Sequence, residues 1–461
     1  MSGDNRPVSI ATHRTLRSVV LCLLYFAQGF PWGFATVALL SVLSEQGYSK
    51  EQTAGVTALA ILPWTFKFFW APLIDSLRVP ALGLRRPWIV FAQLGMSLTL
   101  LGVWATNDLD GDSTITFLAW VFFAHNCFAS LQDVATDALA VDLLDDTERG
   151  RVNGMMWGSK LFGIAVGGAG MGAVIAHSSL GTAVLVQSLA ILAIMLVVIA
   201  VKERPGEKRL PWSQGSAQAD PNLSVAGGVI GVSKELFRAL SLRTTFLAVL
   251  MAMTVSLCEG LYVPLTTDLF VQKFEWGAEK FSRNQGTYGV LGEVLGALLG
   301  GLLCDRFGRR RMAGLGLVCT SATLLTFGLT SAYWYESGYP AVWLLPLFKG
   351  FFALTTVSLF SLYMKISWTG AAACQFTLYM AMSNVGHALG AKLNSLNSWI
   401  EKAAQRGWSS LDGVVLADQH FYLVAGYLAL VPLFFLVFLR PDTVVAQKLS
   451  ETPIASSAPE G

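Results

Sequence analysis

The chain has 461 residues, of which 54% are hydrophobic and only 13% charged, with a formal net charge of +2. A soluble domain carries about 25% charged residues, so soluble folds, disordered chains and disulfide-rich secreted scaffolds are excluded. The near-balanced charge also excludes a nucleic-acid partner, and a multi-span helical membrane protein remains.

Twelve stretches supply the roughly 20 apolar residues that a helix needs to cross a bilayer. In chain order they are 17–43, 53–74, 87–106, 114–141, 152–176, 181–201, 244–268, 285–304, 311–333, 340–363, 370–398 and 419–439. The polar start, 1–16, has no small-residue cleavage site after it, so the first span is expected to be retained. The longest polar stretch, 202–243, contains Pro205, Gly206, Pro211, Ser213, Gly215, Ser216 and Pro221 and reads as a linker. It separates one six-span bundle, 17–201, from a second, 244–439, and a polar tail follows, 440–461. With twelve spans both termini share a side. Of 32 Lys and Arg, 22 fall on that side and six on the other, which predicts cytoplasmic termini.

The six cysteines, Cys22, Cys127, Cys258, Cys304, Cys319 and Cys374, lie in or at the ends of spans without CxxC spacing, and read as small core residues. No histidine pair has metal-ligand spacing, and HExxH, GxSxG and the P-loop are absent. No cofactor is implied, and an enzyme is disfavoured.

The two halves repeat one design. After span 8 comes Gly301-Leu302-Leu303-Cys304-Asp305-Arg306-Phe307-Gly308-Arg309-Arg310-Arg311; after span 2 come Pro72-Leu73-Ile74-Asp75, Arg78 and Gly83-Leu84-Arg85-Arg86. Asp305 lies 230 residues after Asp75. Gln28-Gly29 with Pro31 in span 1 matches Glu259-Gly260 with Pro264 in span 7, at an offset of 231. Two matches at nearly one offset indicate internal duplication, with parallel halves related by an axis along the membrane normal. The GxLxDRxGRRR string resembles the cytoplasmic-loop signature of the major facilitator superfamily. The resemblance implies an all-α fold of twelve transmembrane helices in two pseudo-repeated six-helix bundles. It also implies a gate built on Asp75, Arg85, Arg86, Asp305, Arg306, Arg309 and Arg310. An Asp at the membrane edge can accept from an Arg or from a helix N-terminus, closing the cytoplasmic side; alternatively the arginines are only positive-inside anchors around a turn.

Charges inside spans normally face a cavity or a partner. At about 1.5 Å per residue, Lys67, Asp133 and Lys160 all fall roughly 12–14 Å from the cytoplasmic edge, and Asp137 lies one turn from Asp133. They are expected either to brace the first bundle as a Lys–Asp network or to bind solute and protons. Asp142 is expected to partner Arg149 or Arg151. In the second half, pairing of Glu259 or Glu293 with Lys349 would account for all three charges. Lys392 is expected to snorkel, and His125 and His387 are expected to be satisfied core histidines, with a proton relay as the alternative role. The glycines of spans 5 and 8 are expected to let helices pack closely.

Further strings narrow the family: Phe66-Lys67-Phe68-Phe69-Trp70-Ala71-Pro72-Leu73-Ile74-Asp75, the run from Gln132 to Leu144, Glu148-Arg149-Gly150 with Asn153-Gly154, Gly158-Ser159-Lys160-Leu161, and Cys374-Gln375-Phe376-Thr377-Leu378-Tyr379. Together they resemble the AmpG-like branch of the superfamily, the muropeptide permeases, to which acetyl-CoA transporters are related. The resemblance implies proton-driven import of anhydro-muropeptides across a bacterial inner membrane, by a single chain in the lipid bilayer. Lys67, Gln132, Asp133, Asp137, Lys160 and Gln375 match family positions for solute or coupling. Phe348-Lys349 stands where the family often has an acidic-Asn pair, and Glu293 is unusual for its position.

Solute carboxylates could meet Lys67, Lys160 and Lys349, and sugar rings could stack on Trp32, Trp64, Trp70 or Trp157. Among the carboxylates Glu259 ranks first as proton carrier, since Leu257, Cys258 and Leu261 around it are apolar, and Glu293 second. The alternative solutes are acetyl-CoA or another organic anion; a non-transporting receptor or scaffold is the alternative of another class.

Overall fold

A computed structural model describes residues 9–46, 48, 50–77, 79, 81–106, 112–215, 231, 234, 237, 241–336, 338–367, 372–405 and 415–439. Arg78, Ser216, Pro221, most of the remaining linker, the first eight residues and the tail 440–461 lie outside the described residues.

Among the described residues ten helices are long and apolar enough to cross a membrane: Arg14–Leu43, Arg86–Ala105, Thr114–Leu143, Arg149–His177, Leu180–Ala200, Arg243–Lys273, Lys280–Phe307, Arg309–Leu329, Tyr339–Ile366 and Asp418–Phe438. These are spans 1, 3–10 and 12. Span 2 is broken into an α-helix Lys50–Thr65, a 3-10 turn Lys67–Phe69 and an α-helix Trp70–Ser76. Pro63 cannot donate to the helical ladder, and Phe66 leaves helical geometry at φ −99° and ψ 9° just before Lys67. Span 11, Ala372–Lys392, carries Gln375, Ser383, Asn384, His387 and Lys392, which dilute its apolar content. Large apolar side chains such as Leu98, Leu189, Leu196, Leu295, Leu299, Leu315 and Phe434 are exposed on the outside, the surface a lipid-embedded bundle requires.

The helix pairings repeat between halves. Span 1 packs on 5, 2 on 4, and 3 on both 4 and 6; span 7 packs on 11, 8 on 10, and 9 on both 10 and 12. The halves meet through span 5 on span 8 and through span 11 on spans 2 and 4. This is the twelve-helix, two-bundle architecture expected from the duplicated sequence.

Glycine sets the closest of these approaches. A Cβ on Gly29 would lie 2.1 Å from the Lys160 carbonyl oxygen, and one on Gly260 would lie 2.0 Å from that of His387. The duplicated Gln-Gly and Glu-Gly pairs therefore seat spans 5 and 11 in the same way. Gly172, by contrast, has nothing within 4 Å of an added Cβ. Gly29→Ala is expected to destabilise the protein by about 1–3 kcal/mol by forcing backbones apart, while Gly172→Ala should be neutral or slightly stabilising through helix propensity. Equal unfolding temperatures for the two purified variants would refute this account.

Residues 202–215, expected to begin a free linker, instead fold against the first half. Glu203 accepts from the backbone N–H groups of Arg85 (2.9 Å) and Arg86 (3.1 Å) at the start of span 3. Lys208 N–H donates to the Ala81 carbonyl at 2.7 Å, and Ile10 N–H donates to that of Lys202 at 2.9 Å. Burial, reinforced by Glu203, pushes the Glu207 carboxyl up to about 7. The helix N-terminus attracts an acidic side chain, so a stretch that composition marks as linker acquires a fixed seat.

Candidate functional site

Between the halves lies a cavity of about 560 Å³, bounded by spans 1, 2, 4, 5, 7, 8, 10 and 11. That volume is within the usual range of small-molecule sites, about 300–1,000 Å³. Lys67, Asp133, Asp137, Lys160, Glu259 and Glu293 all line it. Gln132 and Gln375, expected beside them, do not. Gln132 donates to the Leu24 carbonyl at 3.0 Å, and Gln375 donates to Thr245 (2.8 Å) and Tyr379 (2.9 Å); both are buried between helices. Their amides satisfy polar groups inside helix contacts, which removes them from the solute's reach. Of the four tryptophans, Trp32, Trp64 and Trp157 line the cavity, whereas Trp70 donates to Ser130 at 3.0 Å away from it.

The first half contributes a compact polar cluster. The break at Phe66 turns Lys67 inward, where its ammonium donates to Asp133 at 2.9 Å. Asp137, one turn further along span 4, accepts from the Tyr25 hydroxyl at 2.6 Å. Tyr25 was not singled out in the sequence, although it lies three residues before Gln28 on the same helix face. Lys160 is different. Its ammonium stands 5.3 Å from the Trp64 ring, 5.6 Å from Trp157 and 5.9 Å from Tyr25. Among the described residues no carboxylate lies within ion-pair distance of it. An ammonium held over aromatic faces is attracted by the rings while leaving donors for an incoming group.

The second half carries a cluster at the related place. Lys349 sits outside the cavity lining, but its ammonium is 3.4 Å from Glu259 and 3.8 Å from Glu293. The expected pairing with either glutamate is in fact a bridge to both. Glu259 is thus not surrounded by apolar groups alone, as its chain neighbours suggest. Trp157 of the first half donates to Glu293 at 3.2 Å across the interface. His387 corrects an expectation: its side chain is 45% exposed, lines the cavity, and places Nδ1 3.7 Å from Glu259. His125 is the core histidine expected, buried with Nδ1 3.0 Å from the Thr99 hydroxyl and 3.1 Å from the Met96 carbonyl.

The bonds that join the halves cluster at the end bearing Asp75 and Asp305, called here the motif end. Asp305 accepts from the backbone N–H groups of Gly150 (2.8 Å) and Arg151 (2.7 Å), at the N-terminus of span 5. Asp75 accepts from Arg85 (2.7 Å) and from the Cys374 N–H (3.2 Å), near the N-terminus of span 11. Each half thus seats a carboxylate on a helix start of the other. Arg309 and Lys365 also reach Asp146 across the interface, at 3.3 and 3.1 Å.

The remaining gate arginines point elsewhere. Arg86 donates to the carbonyls of Lys208 and Arg209, Arg310 to that of Val437, and Arg306 lies 5.5 Å from the Phe307 ring. Successive residues of a helix or turn face different directions, so one Arg run cannot serve a single interface. Asp142, expected to partner Arg149 or Arg151, is bound by Arg85 at 2.9 Å instead; Arg149 takes Asp146 at 2.8 Å.

The model of the Major Facilitator Superfamily matches residues 21–391. An anhydromuropeptide permease of Escherichia coli (strain K12) is 24% identical over 397 residues, covering 86% of this chain and 76% of that protein. Among solved structures, a bacterial homologue of the iron transporter ferroportin in the outward-facing state superposes with a TM-score of 0.65 at 13% identity, covering 95% of this chain and 100% of that one. The transporter FucP in the outward conformation gives a TM-score of 0.63 at 15% identity, covering 92% and 98%. At such identities the structural likeness speaks for the fold. The family match spans most of the chain, and with the duplicated helix pairings and the paired Asp–helix locks it leads to one assignment: this multi-pass membrane protein belongs to the major facilitator superfamily.

Proposed function

We propose that the chain is a proton-coupled importer of anhydro-muropeptides that works by alternating access as a single chain in a bacterial inner membrane. The positive-inside bias puts the motif end in the cytoplasm. With that end bolted, the cavity serves the outer face, and breaking the Asp75 and Asp305 contacts delivers the solute inward. The observation that carries the solute class is Lys160, a cation among three aromatic rings and without a carboxylate partner among the described residues. An anhydro-muropeptide combines sugar faces, which stack on aromatic rings, with peptide carboxylates, which an ammonium binds. The similarity to the Escherichia coli anhydromuropeptide permease supports the same class.

Uptake of a radiolabelled disaccharide anhydro-muropeptide into proteoliposomes under an inward proton gradient tests the reading, with acetyl-CoA as the alternative probe. Uptake of acetyl-CoA alone would replace the solute; uptake of neither would remove the importer reading. Lys160→Gln is expected to weaken muropeptide binding by roughly 1.5–3 kcal/mol, the worth of a hydrogen bond to a charged group, which is about 10–150-fold in affinity. Lys160→Arg should retain part of it. Affinity unchanged in Lys160→Gln would take Lys160 out of the site.

A further inference from the structure

We propose that His387 is the group that takes up and releases the proton that drives transport. The inference rests on the proton-coupled reading above and assigns its coupling residue. It starts from the charges around the cavity. In the first half Lys67 and Lys160 face Asp133 and Asp137, two cations against two anions. In the second half Glu259 and Glu293 share one lysine among the described residues, Lys349, at 3.4 and 3.8 Å. With a neutral imidazole that cluster is one positive charge short in a low-dielectric place, where uncompensated charge is expensive. His387 completes it: its Nδ1 is 3.7 Å from Glu259 Oε2, while Lys349 approaches Oε1 of the same carboxylate.

The helix pairing makes the placement systematic. Lys160 and His387 are the residues whose carbonyls touch Gly29 and Gly260, the matching glycines of spans 1 and 7. The duplicated fold therefore carries a lysine at this position in one half and a histidine in the other. Imidazole is the side chain whose ordinary titration falls between pH 5 and 8.

The charged groups around His387 come from every neighbouring element. Span 7 presents Glu259, with Lys349 of span 10 and Glu293 of span 8 behind it. Lys67 of span 2 is engaged by Asp133 of span 4, and Lys160 of span 5 faces the cavity. The half-exposed ring accepts a proton from water while the cavity serves the outer face. It returns that proton to water after the motif end opens. No other bond forms or breaks. The ring projects into the cavity, whereas helix packing at this position uses the backbone carbonyl, so substitution spares the fold.

Two measurements test the assignment. In protein labelled with 13C-histidine, the His387 ring signal is identified among five histidines by its loss in His387→Gln. It is expected to move as pH changes between about 5.5 and 8, and a ring fixed in one state over that range overturns the proposal. In proteoliposomes with the labelled anhydro-muropeptide, His387→Gln and His387→Arg should still exchange solute in counterflow at equal pH. Neither should concentrate it under a proton gradient. Accumulation at the wild-type level by His387→Gln overturns the proposal and returns the proton to Glu259 or Glu293. If the wild-type protein itself fails to accumulate the probe, the proposed function falls, and the ring measurement alone decides whether His387 binds the proton.

Discussion

Replacing Lys67 by alanine is expected to be among the most damaging single changes in the cavity, lowering stability by about 3–5 kcal/mol, the usual loss when one partner of a buried ion pair is removed. Lys67 and Asp133 bond at 2.9 Å with side chains only 8% and 5% exposed. Without the ammonium, two carboxylates one turn apart, Asp133 and Asp137, remain on one face of span 4, with the Tyr25 hydroxyl donating to Asp137. Like charges so close disfavour joint ionisation. The double variant Lys67→Ala/Asp133→Ala removes the stranded charge together with its partner, so it should recover a substantial part of the loss. A coupling of about 1–3 kcal/mol between the two sites is the expected result, measured by denaturant unfolding of the purified variants. Strict additivity would show that the pair contributes no interaction of its own. Lys160 should not couple in this way, because among the described residues no carboxylate is in direct contact with it.

Asp305→Asn should act on conformation and leave folding largely intact. The carboxylate holds two backbone N–H groups at the start of span 5, at 2.8 and 2.7 Å. An Asn side chain keeps one acceptor oxygen, turns an NH₂ group toward the second N–H, and loses the favourable charge at a helix N-terminus. The lock should weaken by about 1–3 kcal/mol, which shifts the closed-to-open ratio of the motif end roughly 5–150-fold. Cys304 reports on this directly, because it is buried one residue before Asp305 against Gly150. In a background without the other five cysteines, its maleimide labelling should accelerate by a comparable factor, and solute accumulation should fall with it. Wild-type labelling and uptake in a well-expressed Asp305→Asn protein would end the gating role. Asp75→Asn should differ in kind. Asp75 also holds Arg85, which is buried and shared with Asp142, so its loss should disturb folding as well as the gate.

Much of the architecture was legible in the chain because membrane insertion imposes one-dimensional rules. A span must be long and apolar, and a duplicated sequence leaves matched motifs such as Asp75 and Asp305. Depth was legible for the same reason, since rise per residue in a helix is constant; this is how Lys67, Asp133 and Lys160 came to be grouped in one layer. The choice of partner within that layer was not. Lys67 and Lys160 lie at similar estimated depth, and only the break at Phe66 and the seating of span 5 on Gly29 decide that one reaches Asp133 while the other stands among aromatic rings. His387 was expected to be a core residue, and it became a cavity residue once span 11 packed on span 7. Arg85 found Asp142 rather than leaving it to Arg149 because loop and helix ends meet at the membrane edge in an order that sequence spacing does not contain. Hydropathy and charge act along the chain and determine which segments cross and at what depth; rotation about each helix axis and the contacts between helices are decided only when the two bundles pack.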